Sequence, residues 1–184
     1  MRVTAVIALL LWANWASADT DMAWSALREG RAALLMRHAS APGIGDPAGF
    51  LLGDCTTQRN LDERGRIQAQ RWGDLLRAKA ITHPRVFSSR WCRAMETAEL
   101  LRFDSVEALP TLDSFFVKNG QRNTQTQELR TFLNSLQGSP AAVLISHQVN
   151  ITALTGIVPR SGEALVLELP VTDSPKILAR VLPP

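Results

Sequence analysis

Two short apolar runs, Ala32–Met36 and Ala141–Ile145, each lead straight to a histidine: Arg37-His38 after the first and Ser146-His147 after the second. Five consecutive apolar residues with no polar alternation have the length of a strand buried on both faces. Such strands belong to sheets covered by helices on two sides, and the intervening segments supply helical patterns. A short helical lead-in covers Trp24 to Arg28. After a Pro/Gly/Asp-rich loop from Ala41 to Asp54, Asp62 can cap a helix with Glu63 in its first turn, and Ile67, Trp72, Leu75 and Leu76 are spaced for one apolar face. Gly65 and Gly73 weaken that helix without interrupting its pattern. Val86-Phe87 reads as a short strand. A helix follows from Arg90 to Leu101, with Ala94, Met95, Ala98 and Leu101 toward the core. Val106 to Leu109 reads as another short strand. The polar stretch Asn119 to Thr126 leads into a helix carrying Leu129, Phe132, Leu133 and Leu136, and a further helix runs through Ile151 and Leu154. Ala164 to Leu169 and Ile177 to Leu182 are strand-like. Strands alternating with helices predict an α/β fold, a single-domain three-layer sandwich with a largely parallel central sheet flanked by helices.

The first 18 residues are excluded from that fold. Arg2 is a minimal positive region, Val3 to Ala13 is almost wholly apolar, and Ala16-Ser17-Ala18 offers the small residues a signal peptidase accepts. The expectation is a signal peptide over residues 1–18, cleavage after Ala18, a mature domain over 19–184, and a secreted or periplasmic location. No later stretch reaches the roughly 20 apolar residues that a membrane span needs. The net charge of +3 is carried by scattered arginines, with no dense basic run and no interleaved aromatics, which excludes a nucleic-acid surface. Only two cysteines are present, Cys55 and Cys92, too few for a cysteine-rich metal cluster. In an oxidising compartment one disulfide between them is the simplest outcome; two separate buried thiols are the alternative.

Three predicted strands end in residues suited to phosphate: Arg37-His38, Arg90 and His147. In open α/β sheets ligands collect outside the carboxyl ends of the strands, so these four side chains are expected in one pocket. Arginines grip phosphate oxygens through forked, charge-assisted hydrogen bonds. Their like charge also lowers the pKa of nearby imidazoles, keeping a ring nitrogen free to attack. His83, beside Pro84 in a turn, is given no role. Arg59, Lys118 and Arg122 lie in polar loops and are read first as ordinary surface charge, with substrate contact as the second reading.

The chain resembles a known family at four places in order. Met36-Arg37-His38-Ala39 is similar to the signature of the histidine phosphatase superfamily, the phosphoglycerate-mutase-like group. Leu61-Asp62-Glu63-Arg64-Gly65-Arg66-Ile67-Gln68-Ala69 resembles its L-[ST]-x-x-G-x-x-Q-A helix. Ser88-Ser89-Arg90-Trp91-Cys92-Arg93-Ala94-Met95-Glu96-Thr97-Ala98 resembles its S-S-x-x-x-R-A-x-x-T-A segment, and Ile145-Ser146-His147 matches its second histidine. The chain departs from common family members at Ala39 and Gln148, where glycine is usual.

The resemblance implies a metal-independent phosphatase with no cofactor. His38 would be the nucleophile, and Arg37, Arg90 and His147 the rest of the phosphate pocket. Asp113 would be the general acid for the leaving oxygen, with Glu107 the nearest alternative carboxylate. Cys55 to Leu61, Trp91-Cys92 and Ser146 to Asn150 look like a subgroup of small exported bacterial members, one relative of which acts on phosphorylated heptose. The implied partner is a phosphorylated small molecule or glycan, phosphosugars among them. A non-catalytic phosphate- or phosphosugar-binding module of the same fold is the alternative.

Overall fold

The computed structural model describes residues 20–117 and 119–184. The expected signal peptide and Lys118 lie outside the described residues. Helix α1 runs through residues 20–28. It is followed by β1 (Ala32–Arg37), α2 (Glu63–Ala78), β2 (Arg85–Ser88), α3 (Cys92–Glu99), β3 (Val106–Ala108), α4 (Arg122–Ser135), β4 (Ala142–Ser146), α5 (Gln148–Thr155), β5 (Ala164–Glu168) and β6 (Ile177–Val181).

The six strands form one sheet in the order β3-β2-β4-β1-β5-β6. The β3-β2, β2-β4 and β4-β1 pairs are parallel, whereas β5 runs antiparallel to both β1 and β6. The sheet is therefore largely parallel with an antiparallel edge. Alternate residues of β1 serve opposite cores, as the pleat requires. Leu34 and Met36 join Trp24, Leu27, Trp72, Leu76, Ala94 and Ala98 from α1, α2 and α3. Ala33 and Leu35 join Leu129 and Leu133 of α4 with Ile151 and Leu154 of α5. Helices on both faces complete the three layers.

The Asp62 carboxylate caps α2 by accepting from Gly65 N–H. The face that α2 buries differs from the one its large apolar residues predict. Gly65, Ala69, Trp72, Gly73 and Leu76 point inward, while Ile67 is 41% exposed. The reason is close backbone approach: a Cβ at Gly65 would lie 2.1 Å from the Ser40 carbonyl oxygen, and one at Gly73 2.3 Å from that of Leu101. The two glycines that weaken the helix in isolation are what let it pack against the loop after β1 and the end of α3. The third helix starts at Cys92 instead of Arg90, and the fourth begins at Arg122, within the stretch read as a polar lead-in.

Cys55 and Cys92 form a disulfide with a Cα–Cα distance of 5.6 Å, and no described cysteine is free. It ties the end of the loop after β1 to the start of α3. Gln58 reinforces the junction, accepting from Cys92 N–H and donating to the Leu51 carbonyl. Among the described residues no helix is long and apolar enough to cross a membrane. With 37 residues of separation, the bridge contributes about 3–4 kcal/mol in the chain-entropy account. Reduction, or Cys55→Ser with Cys92→Ser, is expected to lower Tm by about 8–15 °C for a domain of this size. An unchanged melting curve after complete reduction would show that the loop is held without the bridge.

Candidate active site

The site follows from one register. In the parallel β1–β4 pair Arg37 faces Ser146, so the next residue on each strand, His38 and His147, leaves the sheet beside the other. His38 N–H still donates to the Ser146 carbonyl at 2.9 Å, and the two rings stand edge-on with centroids 5.4 Å apart. Strand β2 flanks β4 on its other side, with Ser88 opposite Ile145, and delivers Ser89 and Arg90 to the same end of the sheet.

His38 is 2% exposed, and its Nδ1 lies 2.8 Å from the Ala39 carbonyl oxygen. A carbonyl can only accept, so Nδ1 carries the proton and Nε2 of the neutral ring carries the lone pair. Arg93 Nε approaches that lone pair at 3.3 Å. The other arm of Arg93 reaches His147, with Nη2 3.5 Å from Nδ1. With Nδ1 accepting, His147 Nε2 donates to Ser89 Oγ at 2.7 Å, and Ser89 Oγ donates to Asp113 Oδ1 at 3.3 Å.

The guanidinium against His38 is therefore that of Arg93, a residue to which the sequence reading gave no role. Arg90 lines the same cleft, but its side chain is half exposed and engages Asp113 through Nε at 2.7 Å and Nη2 at 2.5 Å. The signal for Arg93 was in the motif: in S-S-x-x-x-R-A the arginine position falls on Arg93. Asp46 left no comparable trace in the sequence. It comes from the loop after β1, is buried, and accepts from Arg93 Nη1 at 2.7 Å, Arg59 N–H at 3.1 Å and Trp91 Nε1 at 3.0 Å. Asp46 thus fixes the arginine that spans both imidazoles.

Arg37 donates to Gln148 Oε1 at 2.8 Å and the Pro159 carbonyl at 3.0 Å, and its buried Nε has no protein partner. Arg59 donates to the carbonyls of Gly45 and Ala41 and also lines the cleft. Neither arginine forms an ion pair with a carboxylate among the described residues. The pocket is thus short of negative charge. Arg59 is pushed down to about 10 by burial and by Arg93, and it stays cationic at neutral pH. Burial is also the first cause that lowers both histidines well below 6.5. The like charge of Arg93 follows for His38, and His38 itself then Arg93 follow for His147. The sequence reading gave this effect to the arginines; desolvation leads because both rings lie under the sheet end.

Asp113, 6% exposed, faces the cleft with Ser89 Oγ, Arg90 N–H and the Arg90 guanidinium on its carboxylate. Glu107 lies on β3, exposed, and does not line the cleft. Arg122 is exposed at the start of α4, also away from it, and His83 is exposed beside Asp104. Among the described residues no group of three or more His, Cys, Asp or Glu is placed to hold a metal ion.

A family profile described as the histidine phosphatase superfamily (branch 1) matches residues 33–142. No curated protein matches the sequence. Among solved structures, the protein histidine phosphatase SixA complexed with tungstate shares 20% identity at a TM-score of 0.57, over 82% of this chain and 96% of that one. Phosphoserine phosphatase from Entamoeba histolytica, in complex with 3-phosphoglyceric acid, shares 13% at 0.56, over 82% and 96%. A mycobacterial glucosyl-3-phosphoglycerate phosphatase shares 16% at 0.51, over 74% and 89%. At these identities the likeness to solved structures is one of fold.

The two neutral histidines set a sign for stability against pH. Their folded pKa values lie below the unfolded value of about 6.5, so the unfolded chain binds more protons as pH falls through that value. The stabilisation is complete above about pH 7 and is lost progressively below 6.5. Urea midpoints should fall between pH 7 and 5, and a His38→Gln/His147→Gln variant should flatten that slope. A wild-type midpoint constant over this interval would contradict the buried neutral state.

Proposed function

The chain belongs to the histidine phosphatase superfamily (branch 1), and we propose that it hydrolyses phosphate monoesters through a phosphohistidine formed on His38. The observation that carries this reading is the state of His38. Its ring is neutral, with an unprotonated Nε2 that Arg93 Nε faces at 3.3 Å, in a pocket where neither the Arg37 nor the Arg59 guanidinium forms an ion pair with a carboxylate. A phosphate dianion supplies the missing negative charge.

Attack of Nε2 on phosphorus forms the N–P bond as the ester P–O bond breaks. Arg37, Arg59 and Arg93, with His147, face the charge on the transferring phosphoryl oxygens. The leaving oxygen takes a proton, which we assign to Asp113: it faces the cleft and is linked to His147 through Ser89. The carboxyl of Asp113 carries that proton into the reaction, which requires its ion pair with the half-exposed Arg90 to open. Water then attacks the phosphohistidine, returns a proton to Asp113, and releases inorganic phosphate with Nε2 regenerated. Arg90 serves at the rim as the partner of Asp113, and Arg93 takes the place first expected for Arg90.

We also propose export, supported by the signal-like pattern of residues 1–18 and by the Cys55–Cys92 disulfide, which persists in oxidising compartments. The same features support a place among small exported bacterial members of the superfamily.

Quenching without acid during turnover of a labelled aryl phosphate should trap label on His38, and His38→Ala should reduce kcat by at least about 10³-fold. Full activity in that variant would remove the mechanism, and absence of turnover by the wild type would leave a binding module. Asp113→Asn should slow esters with poor leaving groups far more than an activated aryl phosphate, whose leaving group departs unprotonated. Equal losses on both would make Asp113 an anchor for Ser89 and Arg90 instead of the acid.

A further inference from the structure

The cleft over His38 encloses about 830 Å³, near the upper end of the range for drug-sized ligands and far more than a phosphate fills. Its floor is cationic, whereas its mouth, apart from Arg90 at one edge, is largely apolar. Ile44 is 93% exposed, Val117 77%, Leu51 61%, Phe116 54% and Leu52 43%, and all five line this cleft. They come from two separate segments, the loop after β1 and the stretch before α4. The segments meet where Gly45 approaches the Phe116 ring, whose edge a Cβ at Gly45 would touch at 3.6 Å. The other large apolar residues that are exposed among those described, Met22, Ile67, Val158 and Leu182, belong to four different parts of the chain. A contiguous exposed apolar patch of this kind marks a binding surface, whereas single exposed apolar residues do not.

Two glutamines of the cleft wall are already engaged within the protein, while Gln121 is exposed at its edge. Gln125 donates to the carbonyls of Thr111 and Asp113, and Gln148 accepts from Arg37. A sugar would need several convergent donors and acceptors released for its hydroxyls. We propose that the leaving group of the substrate is apolar: an alkyl or acyl chain of several carbons, seated between the two segments while its phosphate lies on the arginine floor. The proposal rests on the phosphatase reading for the position of the phosphate. The occupant is fixed by complementarity, because an anionic head with an apolar tail matches a cationic floor under an apolar mouth.

Alkylphosphonates test this without turnover, because the P–C bond is not cleaved. In calorimetric titrations of the full protein, Kd should fall about two- to fourfold per added methylene from methyl- to hexylphosphonate, all below micelle formation. The phosphonate analogue of a hexose 6-phosphate should bind more weakly than hexylphosphonate. The triple variant Ile44→Ser/Leu51→Ser/Phe116→Ser should flatten the chain-length slope. Because these residues are exposed, its fold can be checked by an unchanged circular dichroism spectrum. A wild-type series with no slope, or a sugar phosphonate that binds tighter than hexylphosphonate, would overturn the proposal. So would a dimer that dissociates in the triple variant with a flat series, since the mouth would then belong to a second copy. A steep series in a protein that turns over no ester would support the ligand class while removing the catalytic reading. Turnover of an aryl phosphate with a flat series would do the reverse.

Discussion

The parallel pairing of β1 with β4 is the constraint from which the site descends. These two strands are separated by more than a hundred residues of chain, yet they lie side by side with Arg37 opposite Ser146. Because side chains alternate along a strand, a slip of one residue would exchange the two cores and send the histidines to different levels. Both strands are buried on both faces, by Trp72 and Leu76 on one side and Leu129 and Leu133 on the other. That double burial specifies the register strongly, and the register brings His38 and His147 within one ring's reach.

Once the histidines are together, the remaining arrangement is largely about charge. Burial keeps both imidazoles neutral, and three arginines stand near them with too little negative charge to balance them. Only Arg93 has a carboxylate of its own. Its ion pair with Asp46 is buried on both sides, a geometry in which an unpaired guanidinium would be costly. The loop that carries Asp46 has little secondary structure to hold it. It is fixed instead by the Cys55–Cys92 bridge, by Gln58 and by Arg59, whose hydrogen bonds to the Ala41 and Gly45 carbonyls brace its first half. The same loop presents Ile44 and Leu51 at the cleft mouth, so one segment shapes both the charge of the floor and the polarity of the entrance.

Local chemistry was legible in the amino-acid sequence. The apolar runs before His38 and His147 specify strands because nothing in them can face water, and Asp62 specifies a helix start because its carboxylate can reach the free N–H of Gly65. The alternation of such segments specifies an α/β sheet, and the ordered motifs from Met36 to Ala98 lie within the stretch, residues 33–142, that the histidine phosphatase superfamily profile matches. Each of these depends on residues close in sequence. Which arginine meets His38, which carboxylate holds that arginine, and why α2 turns glycines inward all depend on distances across the fold. Arg90 precedes α3 while Arg93 lies in its first turn, and the packing of α3 beside the sheet end points Arg93 inward and leaves Arg90 at the rim. Asp46 sits in a loop with no periodicity, and it becomes a partner only because β1 and β2 end at the same edge of the site. Sequence determined which groups are available, because composition and local pattern set strands, caps and motifs; tertiary structure decided which of them touch, because contact is set by strand order and register across the sheet.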